Sequence, residues 1–164
     1  NRYEHGEFFH QDSIHFAGTT HSYTKSGRVV LGGGGIMPDI FVPLDTTRTT
    51  PYYRKVAARN IVLNTAVSYT DRNRRQLQRR YRTFQEYQSG FQVGQDLLDQ
   101  MLAKCKAEGI EYDDEQYRKT LPIFKLQLKA MVARNLWGMN EYYQVMLELD
   151  NTVKRAVQYI ETGE

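Results

Sequence analysis

The dipeptide Thr50-Pro51 divides the chain into two kinds of sequence and constrains its fold more than any other feature. A threonine side chain can accept the free N–H groups that open a helix. Proline at the first helical position loses only a donor that would have been orphaned there. From this point onward the apolar residues recur at helical spacing. Tyr52, Val56, Ile61, Thr65 and Tyr69 follow one another at intervals of four or five, with a break predicted near Asn60 and a helix running on to about Tyr81. Thr83 and Glu86 have the spacing of a capping box, opening a short helix with Phe84 and Tyr87. Leu97, Leu98, Met101 and Leu102 form the stripe of the next helix, which Gly109 ends. Asp113 caps a longer helix carrying Leu121, Phe124, Leu128, Met131, Val132 and Leu136, where Pro122 predicts a kink or an early break. Asn140 and Asp150 are the expected caps of two last helices, bearing Tyr143, Val145 and Met146, then Val153, Val157 and Ile160.

Residues 1–49 have no helical period. They are rich in Gly, His, Thr and Ser, with short β-branched runs. Arg28-Val29-Val30-Leu31 reads as a strand that Gly32 to Gly35 break, and residues 36–42 read as a second strand with Pro38 near its start. Pro43 and Asp45-Thr46-Thr47 close the region as a loop. The expected fold is therefore mainly α: an irregular bundle of five or six helices, preceded by a short two-stranded β remnant. The expected division is 1–49 and 50–164. With 40% hydrophobic and 25% charged residues over 164 positions, the chain can bury a real core. No run of eighteen apolar residues is present, so no membrane span is expected. The start at Asn1, without Met or a basic-then-apolar leader, reads as a chain cut from something longer.

Few residues offer chemistry. Ser22 and Lys25 have the S-x-x-K spacing of penicillin-recognising enzymes, followed by Lys25-Ser26-Gly27. That mechanism needs both side chains on one helix face, whereas this segment leads into a glycine-bounded turn and a strand. His5, His10, His15 and His21, with Glu7 and Asp12, are spaced by five and six, which suits neither strand nor helix geometry for a shared metal ion. Gly32 to Gly35 lack the following helix that a phosphate loop requires. Cys105 is the single cysteine, which excludes an internal disulfide, and its helical setting without a nearby His reads as a buried, inert thiol. No catalytic, cofactor-binding or metal-ligating residue is assigned.

Charge is the exception. Residues 54–82 hold nine Lys/Arg against Asp71 alone, and so supply the whole positive excess of a chain with net charge +3. On a helix Arg72, Arg75, Arg79 and Arg82 fall on one face, which suits nucleic acid or anionic lipid through counterion release, or an acidic partner. The plainer reading is a solvated face, or one docked on acids such as Asp113-Asp114-Glu115. Aromatic interleaving for base stacking is missing, which disfavours nucleic acid. Trp137, Tyr142 and Tyr143 read as core or docking surface.

Tyr23-Thr24-Lys25-Ser26-Gly27-Arg28, followed by Gly35-Ile36-Met37-Pro38-Asp39-Ile40-Phe41-Val42-Pro43, resembles the closing part of the carboxyl-terminal processing (tail-specific) serine proteases. Residues 30–35 and 43–47 look like one bacterial subgroup, whose members continue into a helical extension. Residues 50–160 are similar to that extension, notably Lys129-Ala130-Met131-Val132-Ala133-Arg134-Asn135-Leu136-Trp137. The resemblance implies a parent that cleaves peptide bonds in the bacterial cell envelope or periplasm, with a Ser nucleophile and a Lys general base. In that family the Ser lies in a Ser-Ala turn and the Lys in a Phe-Gly-Lys-Gly motif, both upstream of the Tyr-Thr-x-Ser-Gly-Arg stretch, as is the PDZ domain. Neither motif occurs here, so no catalytic residue carries over and the chain should be inactive alone. Arg28 and Asp39 match motif positions without an assigned role. The resemblance further implies protein or peptide substrates through the parent, no cofactor, and a helical part acting as scaffold, dimerisation element or substrate gate. Exposed strand edges point to a homodimer, or to the N-terminal segment folding onto the helices. The competing class is a stand-alone helical binding module using the arginine face.

Overall fold

A computed structural model describes residues 20–27, 29–32, 40–45, 47 and 49–163. The chain divides into two compact units, Asn1–Asp45 and Thr46–Glu164. In the first, β1 (Thr20–Tyr23) and β2 (Val29–Gly32) pair antiparallel, with Tyr23 opposite Val29. The turn between them closes with Gly27 N–H donating to the Thr24 carbonyl at 2.9 Å, and Gly27 takes a φ of 81°, where a side chain would be strained. The partner of β2 is thus the polar segment before the turn. Of the second strand expected over residues 36–42, 36–39 lie outside the described residues, and 40–42 are not in a strand. A five-residue connection brings Tyr23 and Val29 face to face, which makes the near segment the easier partner.

The described residues of the second unit form helices and the loops between them. Its elements are α1 (Pro51–Ala58), α2 (Ile61–Arg80), α3 (Phe84–Gly90), α4 (Gln95–Ala107), α5 (Asp114–Leu136), α6 (Met139–Met146), a 3-10 turn (Leu147–Leu149) and α7 (Asn151–Thr162). The chain is mainly α, with seven helices among the described residues. The caps explain the boundaries. Thr50 Oγ1 accepts from Tyr53 N–H at 3.1 Å and bonds Thr120 Oγ1 of α5 at 2.9 Å. Gln116 Oε1, also from α5, accepts from Tyr52 N–H at 2.8 Å. The start of α1 is therefore capped from within and from the helix it packs on. Asn60, at φ 53°, sits in the left-handed region and serves two helices: its N–H bonds the Ala57 carbonyl at 2.9 Å and its own carbonyl receives Asn64 N–H at 2.9 Å. Thr83 and Glu86 form the reciprocal capping box, and Asp150 caps α7 through Thr152 and Val153. At the end of α4, Ile110 N–H reaches the Cys105 carbonyl at 2.9 Å and Gly109 N–H the Lys106 carbonyl at 3.1 Å, a Schellman pair with Gly109 at φ 68°.

Two expectations are corrected. Pro122 neither breaks nor ends α5, which is continuous across it. Pro122 and Arg118, whose carbonyl the proline leaves without a helical partner, are both exposed, so water can take that carbonyl. Asn140 is not a cap, because Gly138 holds the position before α6.

The core is built around α5, which packs against α1, α2 and α6, while α2 also carries α4. Phe124, Leu128, Val132, Val56, Met101, Tyr87 and Val145 are fully buried. Each contributes roughly 1.5–3 kcal/mol by leaving water. At one end of α5, Tyr52, Tyr53, Tyr112 and Tyr117 gather about Phe124; at the other, Tyr81, Phe84, Tyr87 and Phe91 gather below Trp137. The stripe on α7 is different: none of its residues is buried, and Ile160 is 81% exposed. No helix among the described residues is long and apolar enough to cross a membrane.

Candidate functional site

The arginine-rich end of α2 is only partly a single face. Arg72 donates through Nε to the Ser68 carbonyl at 3.0 Å and through Nη2 to Gln100 Oε1 on α4. Arg74 turns the other way, donating to the Asn135 carbonyl of α5 at 2.9 Å and pairing with Asp71 at 3.3 Å. These two arginines tie helices together. Arg82 lies beyond the end of the helix at Arg80, so the expected stripe does not continue to it as a helical position. The chain bends at Tyr81 and nevertheless brings Arg79, Arg80 and Arg82 around one groove of about 510 Å³. Arg80 also sits over the Tyr81 ring, 5.4 Å from its centre.

Arg75, Arg79 and Arg82 are exposed and have no carboxylate partner among the described residues. The acidic residue in the groove is already committed, because Glu86 Oε2 accepts from Arg82 N–H at 2.7 Å and Thr83 N–H at 3.3 Å. The acids expected to cover this face are committed too. Asp113 caps α5 by accepting from Gln116 N–H, Asp114 pairs with Arg118 at 3.0 Å, and Glu115 pairs with Lys119 at 2.7 Å. The docked reading through Asp113-Asp114-Glu115 is therefore corrected: each of the three acids finds its partner within its own helix.

A second concavity lies between α1, the end of α4 and the turn that follows. It measures about 720 Å³ and is lined by Tyr52, Leu102, Cys105, Ile110 and Tyr112, with Lys106 and Glu111 among its flanks. Tyr52 and Cys105 are 3% and 2% exposed. Burial first, and then the neighbouring Cys105, hold the Tyr52 hydroxyl above the ordinary tyrosine range. Burial also raises the Cys105 thiol, while the Tyr52 hydroxyl beside it acts in the opposite direction. The reading of Cys105 as a buried thiol stands, and its raised pKa disfavours the nucleophilic thiolate at neutral pH. The hydroxyl of Tyr52 makes no hydrogen bond of normal geometry. No short sequence spacing could have exposed this site, because Tyr52, Cys105 and Tyr112 come from three separate segments.

The other residues weighed in the sequence do not assemble. Ser22 lies on β1 and Lys25 in the hairpin turn, both exposed, and not on a shared helix face. His21 is exposed on β1, whereas His5, His10 and His15, Glu7, Asp12, Arg28, Gly33 to Gly35 and Asp39 lie outside the described residues. Among the described residues no cluster of three His, Cys, Asp or Glu side chains could hold a metal ion. Trp137 packs on Phe84 and Tyr87, while Tyr143 is 59% exposed.

A family model described as a family of unknown function (DUF8443) matches residues 52–138. The matched span begins in α1 and stops at Gly138, before α6. It contains α2 to α5 and nearly all of α1, and leaves out the hairpin, α6 and α7. No curated protein and no solved structure matches the chain.

Proposed function

We propose that this chain, which belongs to the family of unknown function DUF8443, is the non-catalytic C-terminal part of a Ser-Lys carboxyl-terminal processing peptidase of the bacterial cell envelope. The observation that carries the reading is the hairpin. The segment Tyr23-Thr24-Lys25-Ser26-Gly27-Arg28, which resembles the end of that protease domain, connects β1 to β2 within a unit separate from the helices. A two-stranded hairpin is marginal alone, which fits strands that complete a larger sheet in a parent. The helical unit then acts as a scaffold, dimerisation element or gate for protein substrates handled elsewhere. The decisive experiment is to sequence upstream of Asn1. Ser-Ala and Phe-Gly-Lys-Gly motifs in the same reading frame would support the proposal, and an upstream sequence without them would sink it. The 164-residue chain itself should leave unfolded casein uncut, and Ser-reagent-sensitive cleavage by it would contradict the assignment.

One observation favours a second reading, a helical module for acidic partners or nucleic acid. Arg75, Arg79 and Arg82 stand exposed without carboxylate partners among the described residues. Such binding would weaken steeply with salt and disappear on replacing these three arginines by alanine. Salt-insensitive binding, or none, removes this reading.

A further inference from the structure

We propose that the cavity between α1 and the C-terminal end of α4 binds a small, uncharged, mainly apolar molecule bearing one hydrogen-bond acceptor, which the Tyr52 hydroxyl recognises. The cavity's volume of about 720 Å³ falls within the range typical of small-molecule sites. Its walls at Leu102, Ala103 and Ile110 are apolar, which suits an aromatic or aliphatic body. Lys106 and Glu111 oppose one another in sign among the flanks, so neither a cation nor an anion is favoured.

The hydroxyl supplies the specificity. Buried polar groups are nearly always hydrogen-bonded, and one left unmade carries a penalty that a partner would relieve. Tyr52 is 3% exposed, and its hydroxyl makes no hydrogen bond of normal geometry, the neighbouring Cys105 sulfur being a weak acceptor. Tyrosines of the other aromatic cluster are satisfied: Tyr87 donates to the Lys129 carbonyl at 2.8 Å and Tyr81 to the Gly90 carbonyl at 3.3 Å. The hydroxyl is closed to water, so a ligand reaches it by displacing a neighbour. Tyr112 is the side chain suited to give way. It is 56% exposed, and its ring stands edge-on to that of Tyr52 with centres 6.5 Å apart. Exposed side chains of this kind change rotamer in nanoseconds or less.

The test compares acetophenone with ethylbenzene, which share a shape and differ in the carbonyl. In NMR titrations of the 164-residue chain, acetophenone should shift the amides of Leu102, Ala103, Gly109, Ile110 and Tyr112 saturably, with a Kd on the order of 1 mM. Ethylbenzene should bind about fivefold more weakly. Tyr52→Phe should abolish that preference while leaving ethylbenzene binding unchanged. Ala103→Trp, which fills the cavity from an exposed wall position, should abolish both while the helical circular dichroism persists. Cys105 is the chain's one cysteine, so slower reaction of its thiol with a disulfide reagent in the presence of acetophenone gives an independent readout. Absence of saturable shifts, shifts centred elsewhere, or a ketone preference that survives Tyr52→Phe would each overturn the proposal.

Discussion

The two aromatic clusters along α5 both draw on tyrosine and phenylalanine and are finished differently. Around Trp137, the Tyr87 ring stacks on Phe91 with centres 4.7 Å apart, and its hydroxyl reaches the Lys129 carbonyl of α5 itself. Around Phe124, the Tyr52 ring meets Tyr117 and Phe124 edge-on, at 6.4 and 6.2 Å, and its hydroxyl stops beside a thiol. Both clusters bury aromatic area, but of these two hydroxyls only that of Tyr87 completes its hydrogen bond. Apolar burial is thus common to both clusters, while polar satisfaction differs between them.

The largest effect should be common to both ends. Phe124→Ala and Tyr87→Ala each remove a fully buried ring and should each cost about 3–5 kcal/mol in urea unfolding. A much cheaper Phe124→Ala would mean that the Tyr52 end is loosely packed rather than merely unpaired. The next substitution divides the ends. Tyr87→Phe leaves the Lys129 carbonyl without its side-chain donor and should cost about 1–3 kcal/mol, whereas Tyr52→Phe should be neutral or slightly stabilising. Equal losses would mean that the two hydroxyls are equally well bonded.

Alkaline pH sharpens the same comparison. Burial raises the pKa of both hydroxyls above the ordinary value of 10.0. A group whose folded pKa is raised contributes stability that is complete below its unfolded pKa and is lost as pH rises toward the folded one. Stability should therefore fall above about pH 10, and either Tyr→Phe substitution should flatten that decline. Melting temperatures measured from pH 8 upward test this. The smallest effect is Thr83→Ala, which should cost about 1 kcal/mol through loss of the capping box beside the Tyr87 cluster.

The helical unit was legible because its boundaries are chemical. Thr50-Pro51, Thr83 with Glu86, Gly109 and Asp150 each satisfy backbone groups locally, so their roles follow from residue type and short spacing. β1 was hidden because Thr20, His21 and Ser22 are polar, and its pairing was decided by the Lys25-Ser26-Gly27 turn rather than by apolar alternation. Pro122 misled because a proline's consequence depends on whether the freed carbonyl faces water, which sequence spacing does not state. The arginine groove was half legible. The charge excess is plain in the sequence, but the diversion of Arg72 and Arg74 to Gln100 and Asn135 depends on helices distant in sequence. The cavity was not legible, since its hydroxyl, thiol and exposed ring meet only after α1, α4 and α5 have packed.

The absence of any buried side chain on α7 has a kinetic meaning. A helix of twelve residues is marginal when tertiary packing does not hold it. Its opening should therefore be local, decoupled from the unfolding of α5, and frequent enough for a protease to sample. Within the helical unit, trypsin should cut first after Lys154, leaving a trimmed product that melts as the whole unit does.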